Sequence, residues 1–441
     1  MQKVVVIGGG PAGRLIVHAL HKSDEKFDVT LIKDEEINAN RCAVPYGIVD
    51  KKSVDKYCIS NDLVTNFGAK LVVDYVESID KEKQSVTTTT GQKFSYDHLV
   101  LATGSQPIVP PIPNIDLKNI VNVRSKSDME QMRDFAKNHK KCVVVGGGYI
   151  GVEVAVVLKG LGIDVTVVEM MPHVLLTTMD DDFVEIIEAH ISDNGIKILN
   201  NTRVVAFEGQ EGSVSGVVLD NKEVLDADFV IVSVGVKPNT ALAEQTGIET
   251  SKFGIVTNDY METSVKNIYT AGDCAEKKSF ITKAPSMGEF GTNAVFMSKI
   301  VAANILGKKT TFPGIINANA STAFEYTFGS AGLIAKAAEQ AGVDFIVGES
   351  EVVDMYPMMD GVETIKTKLV FEKSSQKLIG GSVLRKGHCA ANNVDFISFA
   401  IHMGATIEDI LIYQYATHPE LAAKPSDNTY LFAAQDAQKK L

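Results

Sequence analysis

Residues 3–33 read KVVVIGGGPAGRLIVHALHKSDEKFDVTLIK, and residues 141–169 read KCVVVGGGYIGVEVAVVLKGLGIDVTVVE. The two stretches are one pattern written twice. Each has a short β-branched strand, a glycine-rich turn, a helix-like segment and a second strand that begins Asp-Val-Thr, at Asp28 in the first copy and Asp164 in the second. That order is a βαβ unit. The glycines in it have separate tasks. Gly8 permits the tight turn, Gly10 lets the backbone approach a pyrophosphate, and Gly13 allows close helix packing. Gly146, Gly148 and Gly151 repeat the set. A helix N-terminus that follows such a turn offers N–H groups and a positive dipole end to phosphates. The chain therefore reads as carrying two dinucleotide sites.

The second strands end differently. In the second copy the strand ends at Glu169, whose carboxylate can accept hydrogen bonds from both ribose hydroxyls. Met170, Met171 and Pro172 follow, with no Arg or Lys to hold a 2′-phosphate, which favours NADH over NADPH. In the first copy Lys33 stands where the carboxylate should be, and Asp34 comes one residue later. Either Asp34 takes the ribose through a small shift, or the first ribose is held otherwise.

The repeat extends further. In 69–102 the alternating runs LVVDYVESID and QSVTTTT, a hairpin, lead to the strand HLVLATGSQP, and in 203–240 the runs TRVVAFEG and VSGVVLD lead to FVIVSVGVKPN. Between the copies, PIVPPIPNID at 107–116 is too proline-rich for a helix or a central strand and reads as a linker. From residue 319 the texture changes to strands (EVVDMYP, TKLVFEK, LIGGSVL) and helical runs (AKAAEQA, NNVDFISFAIHMG) with no nucleotide motif. The fold class expected is α/β, with two Rossmann-like dinucleotide-binding domains plus a C-terminal α+β domain. The division expected is 1–115 with 246–318, then 116–245, then 319–441.

Composition narrows the function. The 441 residues are 45% hydrophobic and 22% charged with a net charge of −12, which suits a globular protein and opposes general nucleic-acid binding. No stretch has the length of a membrane span and the N-terminus lacks signal-peptide features, so a cytoplasmic protein is expected. The five cysteines are widely spaced and form no CxxC pair, which argues against a disulfide framework or a metal site. Two short turns add to the glycine motifs. Thr103 and Gly104 in ATGS end a strand beside the first site, and Asp273 in TAGD follows another strand, able to hydrogen-bond a polyol chain.

GGGPAG, ATGSQP, GGGYIG with Glu169, and TAGDCA, in that order, resemble the pyridine nucleotide–disulfide oxidoreductase family of flavoproteins, and the C-terminal segment is similar to its dimerisation domain. The resemblance implies FAD on the first site, NAD(P)H on the second, and a homodimer. The subclass turns on Asn40-Arg41-Cys42-Ala43-Val44-Pro45-Tyr46-Gly47. Disulfide-type members carry CxxxxC, but position 47 is glycine, so the motif holds no dithiol. The segment resembles the single-cysteine branch: coenzyme A–disulfide reductases, NADH oxidases and NADH peroxidases. A thiol species at Cys42 would accept an electron pair as thiolate, helped by a helix N-terminus or a cation such as Arg41. Its oxidised form is then a mixed disulfide, persulfide or sulfenic acid.

The same resemblance implies further roles. Tyr149 would cover the nicotinamide pocket, and Glu153 would lie one turn along the helix near the flavin. His418, before Pro419, is similar to a histidine that two-cysteine relatives donate from the partner subunit as general acid–base, although Ala422 and Ala423 stand where those relatives have a glutamate. Tyr356 matches a tyrosine that the coenzyme A branch brings toward its redox cysteine, and Lys22 and Arg41 align with its substrate contacts. The expected activity is NADH-dependent reduction of a disulfide, persulfide or polysulfide. The rival is an NADH oxidase or peroxidase whose substrate is O2 or peroxide. A flavin redox sensor or electron-transfer partner is the alternative of another class.

Overall fold

The computed structural model describes residues 1–49 and 53–441. The chain forms two compact units, one of residues 1–109, 122–134 and 235–315, the other of residues 110–121, 135–234 and 316–441.

The first unit is built on a parallel sheet in the order Ile268–Thr270, His98–Leu101, Gln2–Ile7, Phe27–Lys33, Lys70–Val73. Its central strands are almost continuously Val, Ile and Leu because both faces are covered. Val4, Val6, Leu31 and Val100 face one core with Ile16 and Leu20 of the helix Pro11–His21, while Val5, Ile7, Ile32 and Leu99 face another. Gln2–Ile7 aligns with Phe27–Lys33 residue for residue, ending at Ile7 opposite Ile32. That register leaves Lys33 as the first residue past the pairing, beside the glycine turn. The alternating stretch beyond Val73 forms a three-stranded antiparallel sheet, Val76–Asp80, Ser85–Thr88 and Lys93–Ser95.

The second unit repeats the plan. Its sheet runs Ile120–Asn122, Phe229–Val232, Lys141–Val145, Asp164–Val168, Lys197–Leu199. Val145 pairs with Val168, so Glu169 is the structural counterpart of Lys33. A three-stranded antiparallel sheet follows, from Val204 to Asp226. The same unit contains the C-terminal segment, a five-stranded antiparallel sheet ordered Asn319–Ala323, Tyr326–Gly332, Leu378–Lys386, Thr364–Glu372, Phe345–Val353. The run EVVDMYP leaves its strand at Val353, so Tyr356 stands on the following loop. Among the described residues no helix is long and apolar enough to cross a membrane.

Candidate active site

In the first unit Gly8 has φ +120°, and a Cβ there would collide with the Ala102 carbonyl oxygen. Only glycine permits both the conformation and the approach. Gly13 sits against the Gly8 carbonyl in the same way. A Cβ on Gly10, by contrast, would meet nothing within 4 Å. Gly10 caps the helix Pro11–His21 without a side-chain hydrogen bond, and the first turn carries no acid. The turn is thus an open cradle of N–H groups, fitted to a phosphate. The second unit repeats this atom for atom. Gly146 has φ +101° and abuts Ser233 O, Gly151 abuts Gly146 O, and Gly148 faces open space.

Around the first cradle, Thr103 and Gly104 are locked to one residue. Thr103 Oγ1 donates to Asn239 O at 2.9 Å, Asn239 Nδ2 donates back to Thr103 O at 2.9 Å, and Asn239 N donates to Gly104 O at 2.9 Å. Asp273 is half-buried and accepts from Ser105 Oγ at 2.7 Å. Ser105 is also within 3.4 Å of Arg124, whose guanidinium passes 3.7 Å from where a Gly104 Cβ would stand. Burial, and then Arg41, depress the Arg124 pKa. Nothing in NVRSKSD marks Arg124 in advance, because its partners come from turns far along the chain.

Cys42 is exposed, on a 3₁₀ turn Arg41–Ala43 that runs into the helical turn Val44–Gly47. The segment is tied down by Asn40 N donating to Tyr57 O at 2.8 Å. A Cβ on Gly47 would land on the sulfur of Met129, which is fully buried. The place where two-cysteine members carry their second thiol is therefore filled by a neighbouring side chain. Among the described residues no disulfide forms. Arg41 spends its guanidinium on Glu35 Oε1 at 2.7 Å and Arg124 O at 2.6 Å. Lys22 is exposed at the C-cap of the first helix, about 16 Å along the axis from the glycine cradle.

The strand ends differ as their sequences do. Glu169 is buried, and its carboxylate accepts from Gly147 N at 2.6 Å and Met171 N at 2.7 Å. Lys33 is also buried. Its ammonium turns to Asn61 Oδ1 at 2.6 Å, Glu36 O at 2.9 Å and Asn38 Oδ1 at 3.1 Å. Burial, with the charge of Arg14, lowers its pKa to about 8. Arg14, itself buried, holds Gly9 O at 2.6 Å and Ser60 O at 2.5 Å. Asp34 is exposed.

Tyr149 and Glu153 lie one turn apart on the helix Tyr149–Gly160, and both are gripped by the strand Asn319–Ala323. The Tyr149 hydroxyl donates to Asn319 Oδ1, its ring stacks on Phe328 at 6.2 Å, and burial raises its pKa. Ser321 Oγ donates to Glu153 Oε1 at 2.7 Å. Tyr356 and His418 also come together, since Tyr356 N donates to Pro419 O at 3.1 Å. His418 is exposed, its Nδ1 accepting from Glu420 N at 3.3 Å. Beside them lies a cavity of about 620 Å³ lined by Met355, Met358, Met359, Glu363, His388 and Glu420. No sequence motif announced it.

A chain that carries two glycine cradles, each closed by its own strand end, is built to handle two nucleotides, as a dinucleotide-dependent oxidoreductase does. It belongs to the pyridine nucleotide-disulphide oxidoreductase family, whose model matches residues 2–289, with the family's dimerisation domain at 319–428. An NADH oxidase of Methanocaldococcus jannaschii is 32% identical over 100% of this chain and 99% of its own length. An NAD(P)H coenzyme A polysulfide/persulfide reductase of Pyrococcus horikoshii is 28% identical over 96% of this chain and 95% of its own. The solved NAD-dependent persulfide reductase of A. fulgidus superposes with a TM-score of 0.93 at 29% identity, covering 99% of this chain and 83% of that one.

Proposed function

We propose that the chain is an NADH-dependent FAD enzyme that reduces a disulfide, persulfide or polysulfide, of the kind coenzyme A forms, through Cys42. The observation that carries this is the exposed thiol at Cys42 with position 47 closed by Met129. With no second thiol there, a sulfur substrate that oxidises Cys42 leaves it bonded to a sulfur of that substrate.

The residues fit the two cofactors. The Gly8–Gly13 cradle, Asp273 and the cation of Arg124 would hold FAD, and the Gly146–Gly151 cradle with Glu169 would hold NADH. Bound there, FAD supplies the relay that takes a hydride from NADH and hands an electron pair to sulfur. Glu169 selects the nucleotide. Its carboxylate, fixed by two backbone amides, suits ribose hydroxyls and repels a 2′-phosphate. Tyr149, latched to Asn319 and Phe328, would cover the nicotinamide pocket and would have to swing aside for NADH, and Glu153, held by Ser321, orders the same helix face. Cys42 acts as thiolate. It attacks one sulfur of the substrate, a Cys42–substrate S–S bond forms, and the other sulfur leaves as thiolate or sulfide. Two electrons, which bound FAD would supply, would cleave the new bond, releasing the second product thiolate and restoring Cys42. Lys22, exposed at the end of the first helix, is the cation that an anionic substrate would meet, while Arg41 next to Cys42 is already bound to Glu35 and Arg124 O. Tyr356 and His418 share one face of the C-terminal segment and reach Cys42 of a partner in a homodimer, for which exposed Phe399, Met403, Ile412 and Leu421 provide the apolar contact. We place this enzyme in the cytoplasm, where its thiols stay reduced.

The likeness to an NADH oxidase supports a second reading, in which Cys42 cycles through sulfenic acid with O2 or peroxide as acceptor. Mass spectrometry of Cys42 as isolated separates the two. A mixed-disulfide adduct supports the first reading and a sulfenate the second. NADH turnover with polysulfide or coenzyme A disulfide well above that with oxygen or peroxide is the result expected, and the reverse order would transfer the assignment to the oxidase.

A further inference from the structure

The two copies of the βαβ unit can be overlaid within this one chain, and they disagree at one point. At the second cradle Glu169 Oε2 lies 3.2 Å from where a Gly147 Cβ would stand. At the first cradle the corresponding place beside Gly9 holds Asn38 Oδ1, 2.5 Å from its would-be Cβ, with the aliphatic part of Lys33 at 2.7 Å. Lys33 has the position of Glu169 in the sheet but cannot do its work, because its ammonium donates and accepts nothing.

The charge is restored by a neighbour. Asn38 Oδ1 is held by two cations, Lys33 and Arg14, each at 3.1 Å. That fixes the amide, whose Nδ2 donates to Glu35 Oε2 at 2.6 Å. Glu35 Oε1 accepts from Arg41 at 2.7 Å. A carboxylate has about four acceptor sites. Asn38 and Arg41 use two at Glu35, as Gly147 N and Met171 N use two at Glu169. Two remain on each, one for each ribose hydroxyl. Glu35 is partly exposed, so a ligand can reach it. Asp34 is exposed and hydrogen-bonded to nothing among the described residues, so nothing aims its carboxylate.

We propose that Glu35, aimed by Asn38 and Arg41, is the carboxylate that binds the adenosine ribose of FAD, with Lys33 and Arg14 as positioning residues. The proposal rests on the assignment of FAD to the first cradle. It also ties the cofactor to the redox segment, since Arg41 precedes Cys42.

The test is a titration of the deflavinated full-length chain with FAD and, in parallel, with FMN, which lacks the adenosine. Wild type should bind FAD far more tightly than FMN. In Glu35→Ala the FAD affinity should fall about tenfold or more, the range for a lost hydrogen bond to a charged group, while the FMN affinity stays put. Glu35→Gln, which keeps the shape and the fold, should show the same loss, and Asp34→Ala should bind both flavins as wild type does. Unchanged FAD affinity in Glu35→Gln, or an equal loss in Asp34→Ala, would overturn the proposal. Wild type that binds neither flavin would instead overturn the cofactor assignment beneath it.

Discussion

Replacing Glu169 by alanine probes the nucleotide site through one carboxylate. In the intact protein its two oxygens are anchored by Gly147 N and Met171 N at 2.6 and 2.7 Å, and in the proposed NADH site the remaining lone pairs would take the 2′- and 3′-hydroxyls. A hydrogen bond to a charged group contributes about 1.5–3 kcal/mol, so the truncation should weaken NADH by about 10–150-fold. This is binding shared by ground state and transition state, so KM rises while kcat holds nearly constant. NADPH, relieved of a carboxylate facing its 2′-phosphate, should bind no worse than before, and the ratio of the two kcat/KM values should collapse. The buried Gly147 amide loses its partner as well, and a fall in folding stability of about 1–2 kcal/mol is expected as an internal control. The assay is steady-state turnover with both nucleotides, with flavin bleaching followed by stopped flow to read binding apart from later steps. A variant that retains the full preference for NADH would refute the reasoning, because the preference would then have its source elsewhere.

Other outcomes follow from the same geometry. Gly47→Cys should not yield a working dithiol. Its Cβ meets the buried Met129 sulfur, so stability should drop by about 1–3 kcal/mol in denaturant melts, with part regained in Gly47→Cys/Met129→Ala. Gly10→Ala leaves the folded chain intact, since its Cβ enters open space, but should weaken FAD about tenfold or more by filling the phosphate cradle; calorimetry of the apo chain and flavin titration read the two effects separately. Lys33 is held neutral more readily when folded, its pKa near 8 against 10.5. The unfolded chain therefore binds the extra proton between those values, and stability should rise with pH from about 8 to about 10. Lys33→Met should flatten that rise in urea melts taken across the interval.

The parts legible in the sequence are those that backbone geometry dictates. Gly8 and Gly146 must be glycine because a carbonyl oxygen occupies the space of a side chain, and that necessity is written locally. The absence of a second thiol was equally plain at Gly47, though its cause, Met129, lies on a distant helix. What escaped was the network of Arg14, Asn38, Glu35, Arg41 and Arg124. Arg14 stands in a helix where an arginine ordinarily reads as a solvent-facing residue, yet it is buried against Gly9 and Ser60. Such placement is set by long-range contacts that leave no spacing pattern. The same holds for the latch of Tyr149 on Asn319 and for the methionine-lined cavity beside Tyr356, each assembled from segments far apart in the chain.

The most direct measurement is made on Cys42→Ser. Flavin content, the rate of flavin bleaching by NADH, and NADH turnover with polysulfide or coenzyme A disulfide are compared with those of wild type. The account predicts a variant that keeps its flavin and its bleaching rate but loses sulfur reduction by at least about 100-fold, the scale on which removing a nucleophile acts. Turnover of sulfur acceptors at the wild-type rate would contradict it.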